Sequence, residues 1–459
     1  MAVYRDEWNG AASMSGDGDR EGGIDGGDSD PRAVVQANVG SRLADFPLLF
    51  WALVLLTGLG AGVGAITFMA LLHEVQHLAF GYQTGEYSVA VSHRSDWRRI
   101  VVLAVGGLVT GILLFALRQF AGGTGGEPTG VVWTGSGDLK PLPSFASGAI
   151  SEISVGMGAS IGREAAPQHA GAAIGAWLAR SVRLTSEQRR VLIACGAGAG
   201  VGAVYNVPFA GGLFAAEVYL GSICLSTVVP ALVASLVATA VSWLSLPAQP
   251  LYKIPVLASP SPSLLLWALL AGPAVGLAAG VYIRAIGFSS DHRPKGRLLL
   301  LLPMLAMTAV GFIAIGYPFV LGNGRDLAQL AMTGRDGMVG LAVLSLLKPV
   351  ATSLTLGGGV TGGLFTPTFS FGAVLGAFLG RCWMYVWPGP DPVSYAVVGA
   401  AAMLSAGMQA PLAGIAFTIE LTGNSNKVML AMLLAVAGAV LTCRLFEQRS
   451  VYSARLPME

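Results

Sequence analysis

A single carboxylate, Glu164, lies in a run of small residues, GASIGREAAPQ, that has the pattern of a helix start in an apolar segment. A charged side chain inside a membrane segment is costly enough that a function is its default explanation. A helix N-terminus offers unpaired N–H groups and positive dipole, which stabilise either a carboxylate or an anion in its place. The segment therefore predicts competition between Glu164 and an anion. The structural alternative is an Arg163–Glu164 pair that caps a helix near the membrane surface.

The sequence around Glu164 has a related copy in the second half of the chain. GASIGREAAPQHAGAAIGA, from Gly158, matches GVTGGLFTPTFSFGAVLGA, from Gly359, and NVPFAGGLFAAEV at 206–218 matches QAPLAGIAFTIEL at 409–421. The recurring positions include Gly162 with Gly363, Gly171 with Gly372, Gly175 with Gly376, Pro208 with Pro411 and Glu217 with Glu420. Repeated halves with Gly- and Pro-broken apolar segments at matching positions predict a transporter whose site lies where discontinuous helices meet.

The second copy carries no charged side chain where Glu164 stands in the first. Its sequence there is GGLFTP, and the residues that begin the predicted helix are Leu364 and Phe365. Their backbone amides can bind an anion as the helix N-terminus at Glu164 can. We therefore predict that both copies supply anion-binding groups.

The composition is that of a membrane protein. Of 459 residues, 54% are hydrophobic and only 11% are charged, and the mean hydropathy is +0.66. A soluble core of ordinary size cannot bury so much apolar surface, so we expect an all-α polytopic membrane protein in a lipid bilayer. The net charge of +2 gives no reason to expect a nucleic-acid partner. The four cysteines stand at no ligand-like spacing, so neither a metal site nor a cofactor is predicted.

A polar segment precedes the apolar part of the chain. Residues 1–45 are rich in Gly, Asp and Ser and cannot repay the entropy of ordering, which predicts a disordered tail. Apolar runs, among them 190–220 and 395–419, then follow in quick succession. The predicted membrane domain is 46–459, with repeat halves at about 46–246 and 263–459 on either side of a Pro-rich connector.

Five motifs occur along this domain. They are GREAA at 162–166, YNVPFAGGLFAAE at 205–217, GGLFTP at 362–367, QAPLAGIAFTIELT at 409–422 and VYSA at 451–454. Together they resemble the CLC family of chloride channels and proton/chloride antiporters. The resemblance implies an inverted repeat of about eighteen tilted and broken helices, and a homodimer in which each subunit holds its own anion pathway. It also implies a multi-pass protein of the cell inner membrane, and we expect no CBS domains after Tyr452.

The resemblance assigns roles to residues of both repeat copies. Glu164 is similar to the family's gating glutamate, which swings aside when an anion enters or when the side chain is protonated. Gly162 and Arg163 lie beside it in the anion-binding motif. Leu364 and Phe365 resemble the residues whose amides hold the central anion.

The inner gate matches the family pattern less well. Tyr452 resembles the inner-gate tyrosine, whose hydroxyl donates to the anion. The family's inner-gate serine belongs to a GSGIP motif that is not intact here, and Thr124 in GGTGGEP is the candidate because its hydroxyl can donate. The alternative is that Thr124 is an ordinary loop residue. Ala165 and Ala166 also replace the usual Gly-Pro, so the proline that favours a helix start stands one place later, at Pro167.

The largest departure from the family is at Val218. Proton-coupled relatives commonly carry a second glutamate after the one that corresponds to Glu217, and it relays protons. Valine cannot titrate, so the resemblance favours passive conduction or weakly coupled transport over antiport. Glu217 does not obviously substitute, because its repeat counterpart Glu420 indicates a shared structural role. Antiport by a different proton path is the alternative, since water chains can carry protons.

One motif fits another class of protein. His73, Glu74 and His77 form HEVQH, the spacing that places two imidazoles on one helix face for zinc, with the glutamate as general base. An intramembrane zinc protease would need a third ligand from a later LDG-like segment, and the sequence contains none. We therefore interpret HEVQH as a polar helix end. The function predicted for the chain is glutamate-gated transport of chloride or a similar small monovalent anion, not enzymatic catalysis.

Overall fold

The computed structural model describes residues 46–134, 139–257, 261–334, 337–388, 391–423 and 425–456. The predicted tail of residues 1–45 lies outside this part of the chain. The described residues form seventeen α-helices, and strand-like pairing among them is limited to one isolated bridge. The predicted all-α class is confirmed.

Nine helices of the described chain belong to the first half. They are α1 (Leu48–Phe80), α2 (Tyr87–Ser92), α3 (Asp96–Phe120), α4 (Pro128–Thr134), α5 (Pro141–Gly156), α6 (Ala165–Arg180), α7 (Ser186–Tyr205), α8 (Pro208–Phe214) and α9 (Leu225–Ser242). A π-helical turn, Ala215–Tyr219, continues α8.

The second half has a similar series. Its helices are α10 (Pro262–Asp291), α11 (Leu302–Gly316), α12 (Arg325–Ala331), α13 (Met338–Gly357), α14 (Phe365–Met384), α15 (Pro392–Met408), α16 (Pro411–Thr422) and α17 (Met429–Phe446). Short 3₁₀ turns lie at Gly296–Leu300, Pro318–Val320, Ser425–Val428 and Ser453–Arg455.

Seven helices of the described chain are long and apolar enough to cross a membrane, judged by length and composition. They are α1, α3, α9, α10, α11 with the 3₁₀ turn before it, α13 and α17. Two apolar runs of the sequence, 190–220 and 395–419, are broken in the structure. The first is divided between α7 and α8, and the second between α15 and α16. Such breaks are tolerated at membrane depth only where protein or a polar cavity surrounds them.

Both breaks have the same geometry. Asn206 ends α7 at φ 56°, and Gln409 ends α15 at φ 57°; they are the two non-glycine residues with positive φ in the described chain. A left-handed residue after the last helical turn ends a helix, and Asn tolerates this conformation better than most side chains. The next helix starts with Pro208 or Pro411, whose fixed φ suits the first helical position. The sequence repeat is therefore also a backbone repeat.

The two halves cap each other's short helices. The carboxylate of Glu420 accepts hydrogen bonds from the N–H groups of Phe209, at 3.2 Å, and Ala210, at 2.7 Å, in the first turn of α8. The carboxylate of Glu217 accepts in the same way at α16, at 2.7 Å from the N–H of Ala413 and at 3.2 Å from the N–H before it. Each glutamate thus satisfies amides that lack an intrahelical partner and also meets the positive end of a helix dipole.

We expect removal of either cap to destabilise the protein. Glu420→Ala leaves two N–H groups of α8 unpaired, and a hydrogen bond to a charged group contributes about 1.5–3 kcal/mol. The midpoint of thermal unfolding in detergent should fall for Glu420→Ala and for Glu217→Ala. Glu74→Ala, which removes an exposed carboxylate from α1, is the control. An unchanged midpoint in both cap variants would contradict the capping role.

Glycines allow backbone contact between α6 and α7 and between α14 and α15. A Cβ at Gly171 of α6 would collide with the carbonyl oxygen of Gly196 in α7. In the second half, a Cβ on Gly372 of α14 would lie 2.7 Å from the carbonyl oxygen of Gly399 in α15. Small residues at helix crossings permit the close packing on which membrane helices depend. The repeated glycines therefore hold α6 and α14, the helices that begin at the predicted site.

Candidate functional site

The Glu164 side chain is enclosed by hydrogen-bond donors from both halves of the chain. It is fully buried. Oε1 accepts from the Phe365 N–H at 2.7 Å. Oε2 accepts from the Tyr205 hydroxyl at 2.9 Å and from the Thr366 hydroxyl at 3.1 Å. These donors are of the kind that bind a small anion, and the carboxylate occupies them itself.

A short backbone pairing brings the two repeat copies together at this point. The Gly162 N–H donates to the Gly363 carbonyl at 2.7 Å, and the Gly363 N–H donates to the Gly162 carbonyl at 2.8 Å. Directly after the pairing, α6 begins at Ala165 and α14 begins at Phe365. Two helix N-termini therefore meet at the Glu164 carboxylate, and their dipoles favour negative charge there.

The helix start after Glu164 forms despite its departure from the usual sequence. Ala165 and Ala166 occupy the first positions of α6, and Pro167 follows within the first turn. A proline is tolerated there because an N–H in the first turn has no intrahelical acceptor. The site thus keeps a helix N-terminus next to Glu164.

The two hydroxyls at Glu164 share their protons. The oxygens of Tyr205 and Thr366 lie 2.5 Å apart, and each also lies within hydrogen-bond distance of Glu164 Oε2. Two hydroxyl protons cannot fill three such contacts at once. Protonation of Glu164 or its departure would therefore rearrange this group of hydrogen bonds.

Arg163 lies next to the carboxylate and borders a cavity. Its guanidinium carbon is 5.3 Å from the centroid of the Tyr205 ring, a cation–π arrangement. A cavity of about 40 Å³ adjoins Arg163, and we name it the Arg163 cavity. Gln76, Val155, Asn323, Arg325 and Asp326 also line it. About 10–15 Å³ suffices for one water molecule, so the Arg163 cavity can hold more than one.

A buried lysine fixes the loop before Glu164. Lys348 of α13 is fully buried, and its Nζ donates to Ser160 Oγ at 3.0 Å, to the Val320 carbonyl at 3.0 Å and to the Gly322 carbonyl at 2.9 Å. All three ammonium protons are thereby used. Lys348 joins the loop that leads to Glu164 to the segment that borders the Arg163 cavity.

A row of aromatic rings connects the surroundings of Glu164 with Tyr452. Ring centroids are 5.4 Å apart for Tyr205 and Phe365, 4.5 Å for Phe365 and Phe417, 5.8 Å for Phe417 and Phe214, and 5.7 Å for Phe214 and Tyr452. The Tyr452 hydroxyl is buried and has no hydrogen-bond partner among the described residues. A buried hydroxyl without a partner is costly, so it suits a position where an anion accepts its proton.

Comparison with known proteins identifies the family of the chain. The sequence profile described as "Voltage gated chloride channel" matches residues 130–444. The chain belongs to this family, the CLC proteins. A ClcB-like chloride channel protein of Ralstonia nicotianae is 32% identical over 413 residues, which cover 87% of this chain and 95% of that protein. The voltage-gated ClC-type chloride channel ClcB of Citrobacter koseri is 28% identical over 86% of this chain and 96% of its own length.

Solved structures share the CLC fold. A slow cyanobacterial Cl⁻/H⁺ antiporter aligns with a TM-score of 0.77 at 20% identity, covering 89% of this chain and 97% of that one. A CLC-type fluoride/proton antiporter aligns with a TM-score of 0.71 at 22% identity, covering 88% of this chain and 97% of that one. The protein is therefore a multi-pass CLC membrane protein of the anion channel and transporter class.

Val218, the position of the missing second glutamate, is fully buried within the π-helical turn. The corresponding segment of the second half, in α16, continues as a regular α-helix. The π turn therefore breaks the symmetry of the repeat at Val218. A π turn inside a helix often marks a functional position.

Thr124 lies in the loop between α3 and α4 and is half-buried. A second threonine, Thr129 in the first turn of α4, is buried. The inner-gate role of Thr124 stays a prediction, and Thr129 is a second hydroxyl of the same motif region.

The HEVQH segment forms the last turns of α1. His73, Glu74 and His77 are exposed, and His77 Nδ1 lies 3.1 Å from the Tyr82 carbonyl oxygen. In the part of the chain that the structure describes, no group of three His, Cys, Asp or Glu side chains is placed to hold a metal ion. The segment is a polar helix end in this structure.

Three residues of the site region escaped the sequence analysis. Tyr205 and Thr366 donate to Glu164, but the repeat did not mark them because Met408 and Ala165 stand at the corresponding positions. Glu152 is a fully buried carboxylate in α5. Its signal was available, since it is the sole acidic residue in the 141–156 segment.

Proposed function

We propose that the protein conducts chloride or a similar small monovalent anion, and that Glu164 is the gate. The observation that carries the proposal is the position of the Glu164 carboxylate among the Phe365 N–H and the hydroxyls of Tyr205 and Thr366. An anion needs the same donors, so the two compete for one place. Protonation weakens the hold of the donors on the side chain, because a neutral carboxyl is a poorer acceptor than a carboxylate. Anion efflux from proteoliposomes tests the activity directly.

The anion path continues from Glu164 to Tyr452 in this proposal. Leu364, Phe365 and the Tyr452 hydroxyl contribute to a central site, with Thr124 as the second hydroxyl. Gly162 and Arg163 belong to the part of the path next to the Arg163 cavity. The hydroxyl of Tyr452, which is buried and has no hydrogen-bond partner in the described part of the chain, supports this assignment.

We expect loss of either inner hydroxyl to weaken anion binding. Tyr452→Phe and Thr124→Ala should each reduce the binding free energy of chloride by about 0.5–3 kcal/mol, a range that spans an ordinary hydrogen bond and one to a charged group. Calorimetric titration with chloride is the measurement, with Thr129→Ala as the matched variant. Wild-type affinity in Thr124→Ala together with weaker binding in Thr129→Ala would assign the inner-gate hydroxyl to Thr129.

Proton coupling in the proposed function is weak or absent. Val218 offers no titratable group, and Glu217 is engaged in capping α16. The alternative is an antiporter with a different proton path, and one carboxylate favours it. Glu127 Oε2 lies 3.7 Å from Arg455 Nη2, and Glu127 acts electrostatically on Tyr219, the neighbour of Val218. Two solved structures with this fold are also named as antiporters.

A homodimer in a cell inner membrane completes the proposal. Glu217 and Glu420 are partly exposed on the surface beside α8 and α16, where Phe209 and Leu412 are about half exposed. Carboxylates facing lipid at membrane depth are expensive, so a second copy of the chain on this surface explains their presence. Cross-linking of cysteines introduced at Phe209 or Leu412 in native membranes tests the contact.

A further inference from the structure

Glu152 is a buried carboxyl group that has no role in the proposed gate. It lies in α5, its side chain has no exposed surface, and neither oxygen has a hydrogen-bond partner among the described residues. An ionised carboxylate without donors in a low-dielectric interior costs several kcal/mol. The Glu152 side chain therefore carries a proton in this state of the protein.

The position of Glu152 on α5 points it toward the gate. Gly148 lies one turn earlier on the same face, and a Cβ added there would be 3.2 Å from the Ala166 Cα at the start of α6. Val155, nearly one turn later, lines the Arg163 cavity together with Arg163. Glu152 thus lies on the face of α5 that extends from the helix start after Glu164 to a cavity large enough for water.

Two charged groups act on Glu152, and both belong to the gate motif. They are Arg163, which favours a negative charge on Glu152, and Glu164, which opposes it. Three helices pack against α5, namely α1, α3 and α6. Their titratable groups are His73, Glu74 and His77 on α1, Asp96, Arg98, Arg99 and Arg118 on α3, and His169 and Arg180 on α6. Those of α1 are exposed, and the buried Arg99 donates to backbone carbonyls elsewhere.

We propose that Glu152 stores the proton that Glu164 takes up when it leaves the anion site. This inference rests on the proposed gating role of Glu164. Two neighbouring carboxyl groups in a buried site cannot both be ionised at low cost, so one proton is shared between them. In this structure Glu164 has three donors and holds the negative charge, while Glu152 has none and holds the proton.

Transfer of this proton from Glu152 to Glu164 changes which of the two side chains is charged. The O–H bond of Glu152 breaks, an O–H bond forms on Glu164, and the negative charge moves to Glu152, where Arg163 stabilises it. Neutral Glu164 then leaves the Phe365 N–H and the two hydroxyls to an incoming anion. Water in the Arg163 cavity relays a proton from bulk solution to Glu152. The total charge of the pair changes only in this last step.

The test is chloride efflux from proteoliposomes as a function of pH for wild type, Glu152→Gln, Glu164→Gln and the double variant. Glutamine keeps the size of the side chain but cannot release a proton. We expect Glu152→Gln to lower efflux at neutral pH by about tenfold or more, since positioned proton donors accelerate transfer by about 10²–10⁴-fold. The loss of efflux should be smaller at acidic pH, because protons from bulk solution then reach Glu164 directly. In the Glu164→Gln background, Glu152→Gln should change nothing.

Two results of this series would overturn the proposal. One is a pH profile of Glu152→Gln equal to that of wild type. The other is an equal loss of efflux with and without the Glu164→Gln change, which is the behaviour of a packing defect. Glu152→Asp retains an acid and should recover part of the neutral-pH efflux. Ser151→Ala alters the buried neighbour on the same helix and should leave the pH profile as it is.

A second measurement does not depend on transport. Infrared difference spectra of the wild-type protein at neutral pH should contain the C=O band of a protonated carboxyl that disappears in Glu152→Gln. Absence of a band that requires Glu152 would overturn the proton-storage role. If Glu164→Gln keeps a normal pH dependence of efflux, the gate assignment fails instead, and the infrared result still reports the protonation of Glu152.

Discussion

Replacing Glu164 with glutamine is expected to abolish the pH dependence of anion flux. The glutamine amide is neutral at every pH and so mimics the protonated side chain, which the Phe365 N–H and the two hydroxyls hold less strongly. Flux from proteoliposomes at acidic and at neutral pH should become equal in this variant. Wild type should conduct better in acid, because protonation releases the side chain from the site.

Glu164→Ala tests whether the Glu164 carboxylate and chloride compete for the same site. It leaves the Phe365 N–H and the hydroxyls of Tyr205 and Thr366 without their acceptor, so chloride should bind more tightly than to wild type, in which it must displace a carboxylate. Calorimetric titration measures this affinity. Glu74→Gln, at an exposed position of α1, should leave both flux and affinity unchanged. A wild-type pH profile in Glu164→Gln would refute the gate assignment.

Residues that recur in both halves could be identified from the sequence, because the same residue type stands at the matching position of each copy. Glu217 and Glu420 stand at matching positions, and the structure places each at the helix start of the opposite half. Gly162 and Gly363 also recur, and they form the backbone pair next to Glu164. Recurrence marks positions where the fold itself needs a residue type, so it identifies caps and close contacts well.

The groups that make the two halves different were harder to predict. Tyr205 is the last residue of α7 in the first half, and Thr366 lies in α14 of the second half. Because these residues are far apart in the sequence, no local spacing predicts that they meet at Glu164. The breaks before Pro208 and Pro411 require a left-handed residue; Asn206 is suited to this conformation, but Gln409 gives no such signal. Hydrophobicity alone therefore joined segments that the structure separates.

Because Val218 cannot carry a proton, we expect proton movement to be weakly coupled or uncoupled to anion flux. A chloride gradient across proteoliposomes should drive anion flux that follows the gradient and the voltage, with little or no uphill proton movement. Antiport requires a titratable group between Glu164 and the far side of the membrane, and the residue that the resemblance assigns to this role is the buried Val218. Simultaneous recording of chloride and pH in the same liposomes gives the ratio of the two fluxes.

Substitutions at Val218 decide between absent coupling and a different proton path. Val218→Glu adds a titratable group in the π turn, and Val218→Gln is its control of similar size. If coupling is absent because the relay is missing, proton movement should rise in Val218→Glu and not in Val218→Gln. If wild type already moves protons uphill at a fixed ratio and Val218→Glu leaves that ratio unchanged, the uncoupled function is wrong. Glu127, which acts on Tyr219 beside Val218, then becomes the next residue to neutralise, and loss of proton movement in Glu127→Gln would locate the path there.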